Sequence, residues 1–335
     1  MTIVWVEISG EAPELARAEA VSAARVAGGR GATAEVALPP LLSLELPEGS
    51  DPGAFASRLA LAHRVLVLLE PSFDPPAALA RAGRSGRSAV IRRLGRPRSG
   101  GEDPSVLAGG AAYKRGGGTI DLDAPERRFW LVRLSEGSDR VFEEVAGVDR
   151  RATERRRMPT LPFQRPVSLP PKLARAAANL AGARPGARIL DPFVGTGALL
   201  AEAGLLGAHL YGIDRDPTMV RGALRNLAHL GLEADELVAG DAGAVDFARP
   251  GVELDGILTD PPYGRSSGTG GEEASELVAR VLPRWASRVR PEGRIVLIVP
   301  GGPTPLESPW QETARIPVRV HRSLTREFRV YERGL

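Results

Sequence analysis

Four carboxylates follow short apolar runs in the C-terminal half of this chain. Asp191 closes "ARIL", Asp214 closes "AHLYGI", Asp241 follows "ELVAG" and Asp260 follows "LDGILT". Runs of this length and composition read as buried strands, and open α/β sheets bind ligands at the carboxyl ends of their strands. The stretch "GILTDPPYGRS", which begins at Gly256, is the most constrained of the four. Pro261 and Pro262 stiffen the backbone and forbid ladder hydrogen bonds, so Asp260 and Tyr263 are presented at the strand's edge. Asp260 and the carbonyl of Pro261 can both accept from one exocyclic NH2, and Tyr263 can stack on the flat ring that bears it. Holding the amine's protons aims its lone pair, and orientation is most of what a direct in-line transfer requires. Taken alone, the same four residues could form a rigid loop with a packed tyrosine.

A second constellation lies at 189–204, "ILDPFVGTGALLAEAG". Gly195 and Gly197 flank Thr196 in a turn between a strand and a helix, where glycine lets the backbone approach a ligand closely, and all three are candidate cofactor contacts. A dinucleotide site would place G-x-G-x-x-G here. The acid at Asp191 repels a pyrophosphate but suits a cationic centre or an ammonium group. Asp214, at the end of the next strand, has the position that receives ribose hydroxyls. Asp241 can accept from the exocyclic amine of an adenine. Any one of these acids could be a helix cap or turn residue. Together with the glycines they outline one ligand with a cation, a sugar and an amino-bearing base, which is the shape of S-adenosylmethionine.

Composition excludes several other chemistries. The 335 residues contain no cysteine, which removes disulfides, thiolate metal sites and cysteine nucleophiles. His63, His209, His229 and His321 are scattered without metal-ligand spacing, so no metal is expected. No apolar run is long enough to span a bilayer and the N-terminus does not read as a signal peptide, so a cytoplasmic monomer without membrane contact is expected. The net charge is only +3, yet "RAGRSGRSAVIRRLGRPR" at 81–98 holds seven arginines and no acid. Arg81, Arg84, Arg87, Arg92, Arg93, Arg96 and Arg98 are candidate phosphate contacts to RNA, since the guanidinium fork grips phosphate in two places. A compositional bias towards arginine explains the same residues equally well.

Element patterns divide the chain. Thr2–Ile8 reads as a strand, the segment from Pro13 as a helix, and residues 1–75 as a small α+β unit of ferredoxin-like type. Residues 76–145 read as a second, basic α+β unit, in which "TIDL" and "RRFWLVRL" pair around the "DAPE" turn. Residues 146–170 read as a linker. From 171 to 335 strands and helices alternate, which predicts a parallel, doubly wound, Rossmann-like sheet. The tail "RIPVRVHRSLTREFRVYERG" reads as two strands, a hairpin at the sheet's edge.

With these residues in view, the chain resembles a known family. "LDPFVGTGALLAEAGLLGAHLYGID" and "TDPPYGRS" are similar to the amino-methyltransferase core. "RPVSLPPKLARAAANLAG" and "VHRSLTR" resemble the archaeal-type tRNA guanosine-N2 methyltransferases. The resemblance implies a THUMP-containing N-terminal region with a ferredoxin-like part, joined to a methyltransferase domain that acts on guanosine at position 10 of tRNA, once or twice. It places Asp191, Gly195, Gly197, Asp214 and Asp241 in the cofactor site, and Asp260, Pro261, Pro262 and Tyr263 in the catalytic loop. Val194 stands where relatives commonly carry cysteine, and Ala198 replaces a common third glycine. His321 and Arg322 read equally as substrate contacts or as edge-strand packing. Two other functions fit parts of the chain: a DNA adenine-N6 or cytosine-N4 methyltransferase, and an RNA-binding protein without catalysis.

Overall fold

The structure, a computed structural model, describes residues 1–29, 41–70, 74–94, 103–133, 138–156, 160–165, 168–248, 251–262, 273–303, 305–321 and 324–334. Two compact units emerge: one from residues 1–13, 27–57 and 62–148, the other from 14–26, 58–61 and 149–335.

The first unit is built on β1 (Thr2–Ile8), β2 (Leu41–Leu46), β3 (Ala62–Leu68), β4 (Ser88–Arg93), β5 (Thr119–Ile120), β6 (Arg127–Arg133) and β7 (Asp139–Gly147). They form one sheet in the order β2-β1-β3-β7-β6-β4-β5. Alternation along β6 divides its two faces. Phe129 and Leu131 join Leu79 and Tyr113 in one cluster, whereas Trp130 and Val132 join Leu66 and Phe142 in another. Helix α2 (Pro52–Arg58) lies between β2 and β3 in the chain, Leu79 belongs to helix α3 (Pro75–Gly83) and Tyr113 to α4 (Pro104–Arg115). Both helices start at an Asp-Pro pair, where Asp74 accepts from Ala77 N and Asp103 from Ser105 N while proline takes the first helical position. The expected boundary at residue 75 falls at the start of α3, and the β3–β7 ladder carries the sheet across it.

The expected pairing of "TIDL" with "RRFWLVRL" is corrected by the structure. β4 lies between them and pairs in parallel with both. The side chain of Asp121 accepts from Asp123 N and Ala124 N, and this local turn leads away from a two-residue strand too short to support a hairpin.

The second unit alternates as its sequence pattern predicts. After α5 (Arg150–Glu154) and α6 (Pro171–Leu180) come β8 (Arg188–Asp191), α7 (Ala198–Gly204), β9 (His209–Asp214), α8 (Pro217–His229), β10 (Glu236–Ala239), β11 (Leu254–Thr259), α9 (Ala274–Ala286) and β12 (Val289–Val299). β13 (Trp310–His321) and β14 (Leu324–Arg333) form the expected hairpin. The strand order is β10-β9-β8-β11-β12-β14-β13. β8 to β12 are parallel and β14 is antiparallel to β12. The order reverses between β8 and β11, which opens a crevice at their carboxyl ends. Leu190, Ile213, Ile257 and Ile295 fill the sheet's interior with Val281 and Trp285 of α9.

Helix α1 (Pro13–Val26) belongs to this second unit beyond its first residue. Glu19 is fully buried and accepts from Ala60 N at 2.9 Å, Leu61 N at 2.8 Å and Asn179 Nδ2 at 3.1 Å. Ser22 Oγ donates to the carbonyl of Asn179 at 2.7 Å. Polar groups on an otherwise apolar helix face thus tie residues 14–26 and 58–61 to α6.

Candidate active site

β8 ends at Asp191, whose side chain is almost fully buried. Its Oδ1 accepts from Thr259 Oγ1 at 2.7 Å and from Phe193 N at 3.0 Å. Burial pushes the Asp191 carboxyl up to about 7, against the lowering effect of those two hydrogen bonds, and the nearby charges of Asp260 and Asp214 push the same way. The glycine turn follows. Gly195 has φ of 52° and Gly197 has φ of 79°, the left-handed region that excludes most side chains. An added Cβ on Gly197 would meet Ala223 Cβ of α8 at 3.1 Å, so the turn needs glycine for packing as well as for dihedral freedom.

Asp214 ends β9 and organises this turn from the neighbouring strand. Its Oδ2 accepts from Gly195 N and its Oδ1 from Asp216 N, both at 2.9 Å. Burial holds its carboxyl above the ordinary value. Asp216 caps α8 by accepting from Thr218 N at 2.7 Å. Asp241 lies two residues beyond β10 and is about half exposed. It accepts from Gly243 N at 2.8 Å and from Arg280 Nη1 at 3.0 Å, and these two donors hold its carboxyl below the usual range.

Asp260 stands one residue past β11, with Pro261 buried behind it and Pro262 partly exposed. Arg326 Nη1 of β14 donates to Asp260 Oδ2 at 2.7 Å. Asp191, Asp214 and Asp260 therefore meet at the carboxyl ends of β9, β8 and β11, neighbours in the sheet at its switch point. The charges of Asp260 and Asp214 raise the proton affinity of Asp191, and a cationic ligand relieves that repulsion. The residues fit S-adenosylmethionine: buried carboxylates suit its ammonium and sulfonium charge, Asp214 suits its ribose, and the glycine turn admits its close approach.

Thr196 was expected at the cofactor, and the structure ties it into the protein. Its hydroxyl pairs with Ser168 Oγ at 2.9 Å and its carbonyl accepts from Asn226 Nδ2 at 2.9 Å. Asn226 also accepts from Phe163 N and donates to the carbonyl of Phe163, each at 2.9 Å. This buried asparagine binds the segment around Phe163, helix α8 and the glycine turn together. The sequence signal was present: Asn226 sits on the apolar face of α8 with Val220, Ala223 and Leu227. Thr259 and Arg280 also escaped sequence reasoning, the first because it ends an apolar strand, the second because it lies on a helix remote in sequence.

The chain's likeness to known proteins agrees with this geometry. The family model "UPF0020: RMKL-like, methyltransferase domain" matches residues 160–309. A tRNA (guanine(6)-N2)-methyltransferase of Thermus thermophilus is 30% identical over 263 residues, covering 73% of this chain and 76% of that protein. The chain belongs to the tRNA guanine-N2 methyltransferases. Two archaeal members, both tRNA (guanine(10)-N2)-dimethyltransferases, have higher identity over a shorter span. That of Methanothermobacter thermautotrophicus is 39% identical over 64% of this chain and 63% of its own length, and that of Pyrococcus abyssi 38% over 62% and 59%. The match thus spans less than two thirds of either archaeal relative. Among solved structures, TrmN from Thermus thermophilus aligns over 99% of both chains with a TM-score of 0.50 and 24% identity, a likeness of fold. A layout with a β-rich N-terminal region before a Rossmann-like domain is therefore shared with that structure along the whole chain.

The remaining expected residues are distributed as follows. Arg84, Arg87 and Arg92 are exposed. Arg81 forms a two-point ion pair with Glu70, and Arg93 pairs with Asp139 at 2.9 Å and also with Asp103. Tyr263, Arg96, Arg98 and Arg322 lie outside the described residues, as does the side chain of His321. Among the described residues no group of His, Asp or Glu is placed to hold a metal ion, and no helix is long and apolar enough to cross a membrane.

Proposed function

We propose that this protein transfers a methyl group from S-adenosylmethionine to the exocyclic N2 amine of a guanosine in tRNA, at position 10. The observation that carries the reading is the convergence of Asp191, Asp214 and Asp260 on one crevice beside a left-handed glycine turn. When bound, S-adenosylmethionine supplies an electrophilic methyl group. Asp191 and Asp214 hold its charged and sugar ends, and Asp241 holds its base. Asp260 and the carbonyl of Pro261 accept the protons of the guanine amine, while Tyr263 stacks on the ring. The amine's lone pair is delocalised into the ring, and acceptors on its protons favour localisation as the nitrogen becomes tetrahedral. These hydrogen bonds strengthen towards the transition state, which is the condition for catalysis.

The archaeal relatives are named dimethyltransferases, which supports N2-methylguanosine followed by N2,N2-dimethylguanosine as products. The N-terminal region acts as a ferredoxin-like and THUMP-type tRNA-binding platform, with Arg84, Arg87 and Arg92 available to phosphates. A flipped-out guanosine reaches the crevice. Position 6 is the second reading, favoured by the broader span of the match to the Thermus enzyme. Mass spectrometry of tRNA after incubation with the protein and isotopically labelled cofactor, with the modified nucleotide mapped, tests the assignment. Label on N2 of guanosine 10 is expected. Label at position 6 selects the second reading, and absence of label from tRNA refutes both.

A further inference from the structure

Strand β14 carries a buried charge where its pattern calls for an apolar residue. Arg326, Phe328 and Val330 alternate on one face, at 2%, 0% and 4% exposure. A guanidinium at such a position is unfavourable unless it meets a compensating group. The ladder between β12 and β14 ends at Val299–Glu327, so Arg326 lies one residue beyond the last paired position of β12. Its side chain passes the end of β12 and reaches Asp260, which stands just beyond β11 on the far side.

We propose that Arg326 is a positioning residue for the transfer reaction, holding the Asp260 carboxylate in a fixed rotation so that it accepts from the amine. The inference rests on the function proposed above. An ion pair to Oδ2 at 2.7 Å sets the plane of the carboxylate about its Cβ–Cγ bond. The guanidinium places a positive charge beside a carboxylate that shares the crevice with Asp191 and Asp214. It also defines the role of Asp260 as an acceptor rather than a proton-removing base. The proton lost from nitrogen as the new N–C bond forms and the S–C bond breaks therefore leaves to water.

The experiment is a double-mutant cycle on the full chain, read as the single-turnover rate of tRNA methylation with saturating tRNA and S-adenosylmethionine. Arg326→Met should lower that rate by roughly 10- to 100-fold, the effect of misplacing a catalytic group by about an ångström. Arg326→Lys, which keeps the charge but not the planar fork, should recover part of the loss. Affinities for tRNA and for S-adenosylmethionine should change by less than about twofold, because Arg326 acts through Asp260. In an Asp260→Ala background, Arg326→Met should have no further effect. An equal loss in that background, or a loss explained by weaker cofactor binding, overturns the proposal. If Arg326→Met does not fold, the Lys variant paired with Asp260→Ala gives the same cycle. A wild-type protein active on tRNA with Arg326 variants of unchanged rate refutes this inference alone; a wild-type protein that leaves tRNA unlabelled refutes the function as well.

Discussion

The hydroxyl of Thr259 donates to Oδ1 of Asp191 at 2.7 Å, binding the last residue of β11 to the last residue of β8 across the switch point of the sheet. This bond and that from Phe193 N stabilise the ionised form, yet burial still prevails and keeps the Asp191 carboxyl near 7. A carboxyl whose folded value is raised from 3.8 favours the folded state most at low pH and loses that contribution as pH rises towards 7. The cofactor-free protein should lose a few kcal/mol from this group between about pH 4 and pH 7. Asp191→Asn should remove this part of the pH dependence, as measured by denaturant unfolding at several pH values. Glu19, also raised to about 7 by burial, contributes with the same sign, so the difference between wild type and variant is the informative quantity. S-Adenosylmethionine affinity should rise in the wild type through the same window, because ionised Asp191 suits a cation, and should be flatter in Asp191→Asn.

Asp214 has two tasks in the cofactor site, and one variant exposes both. Its carboxylate accepts from Gly195 N and Asp216 N and is positioned for ribose hydroxyls. Asp214→Ala should weaken cofactor binding by ~2–3 kcal/mol, the scale for losing charge-assisted hydrogen bonds. Isothermal calorimetry on the folded variant reads this directly. Unchanged affinity would remove Asp214 from the cofactor site.

Asn226 replaces backbone partners for two separate segments with one side chain. It makes three hydrogen bonds, to Phe163 N, Phe163 O and Thr196 O. Asn226→Leu keeps volume but leaves those groups buried and unpaired, at a loss of about 2–4 kcal/mol of stability. Cofactor affinity should fall as well, since Thr196 lies within the glycine turn. A variant with lower stability and unchanged cofactor affinity would restrict Asn226 to a structural part.

The carboxyl-end acids were legible because each follows an apolar strand, and the sheet places Asp191, Asp214 and Asp260 together as that pattern requires. Partners from distant segments were not legible. Arg326 lies in the quoted "VHRSLTR", but only the β12–β14 ladder shows that the motif's final residue reaches Asp260. Glu19 looked like an ordinary polar position in a helix, because nothing local reveals that Ala60, Leu61 and Asn179 converge on it. The misassigned hairpin at "TIDL" has a related cause: local turn chemistry was visible, whereas insertion of β4 between the two strands is a non-local choice.

Ion pairing divides the basic segment into residues with different expected effects on RNA binding. Arg93 joins Asp103 and Asp139, and its guanidinium is held in the charged form chiefly by Asp139. It bridges β4, α4 and β7 and is only slightly exposed, so its first task is to hold the first unit together. Arg84, Arg87 and Arg92 are exposed, and a phosphate can approach them without breaking a two-carboxylate pair. Replacing these three by Gln should reduce the slope of log K for tRNA against log salt by about two to three, one unit per lost phosphate contact at most. Cofactor affinity and melting temperature should remain close to wild type. Arg93→Gln should instead lower the melting temperature, because it leaves Asp103 and Asp139 without their shared cation. Its effect on the salt slope should be small. Filter binding across a salt series, with thermal denaturation of each variant, separates the two groups. An unchanged slope in the triple variant would identify Arg84, Arg87 and Arg92 as a solvated face and move tRNA binding elsewhere on the protein.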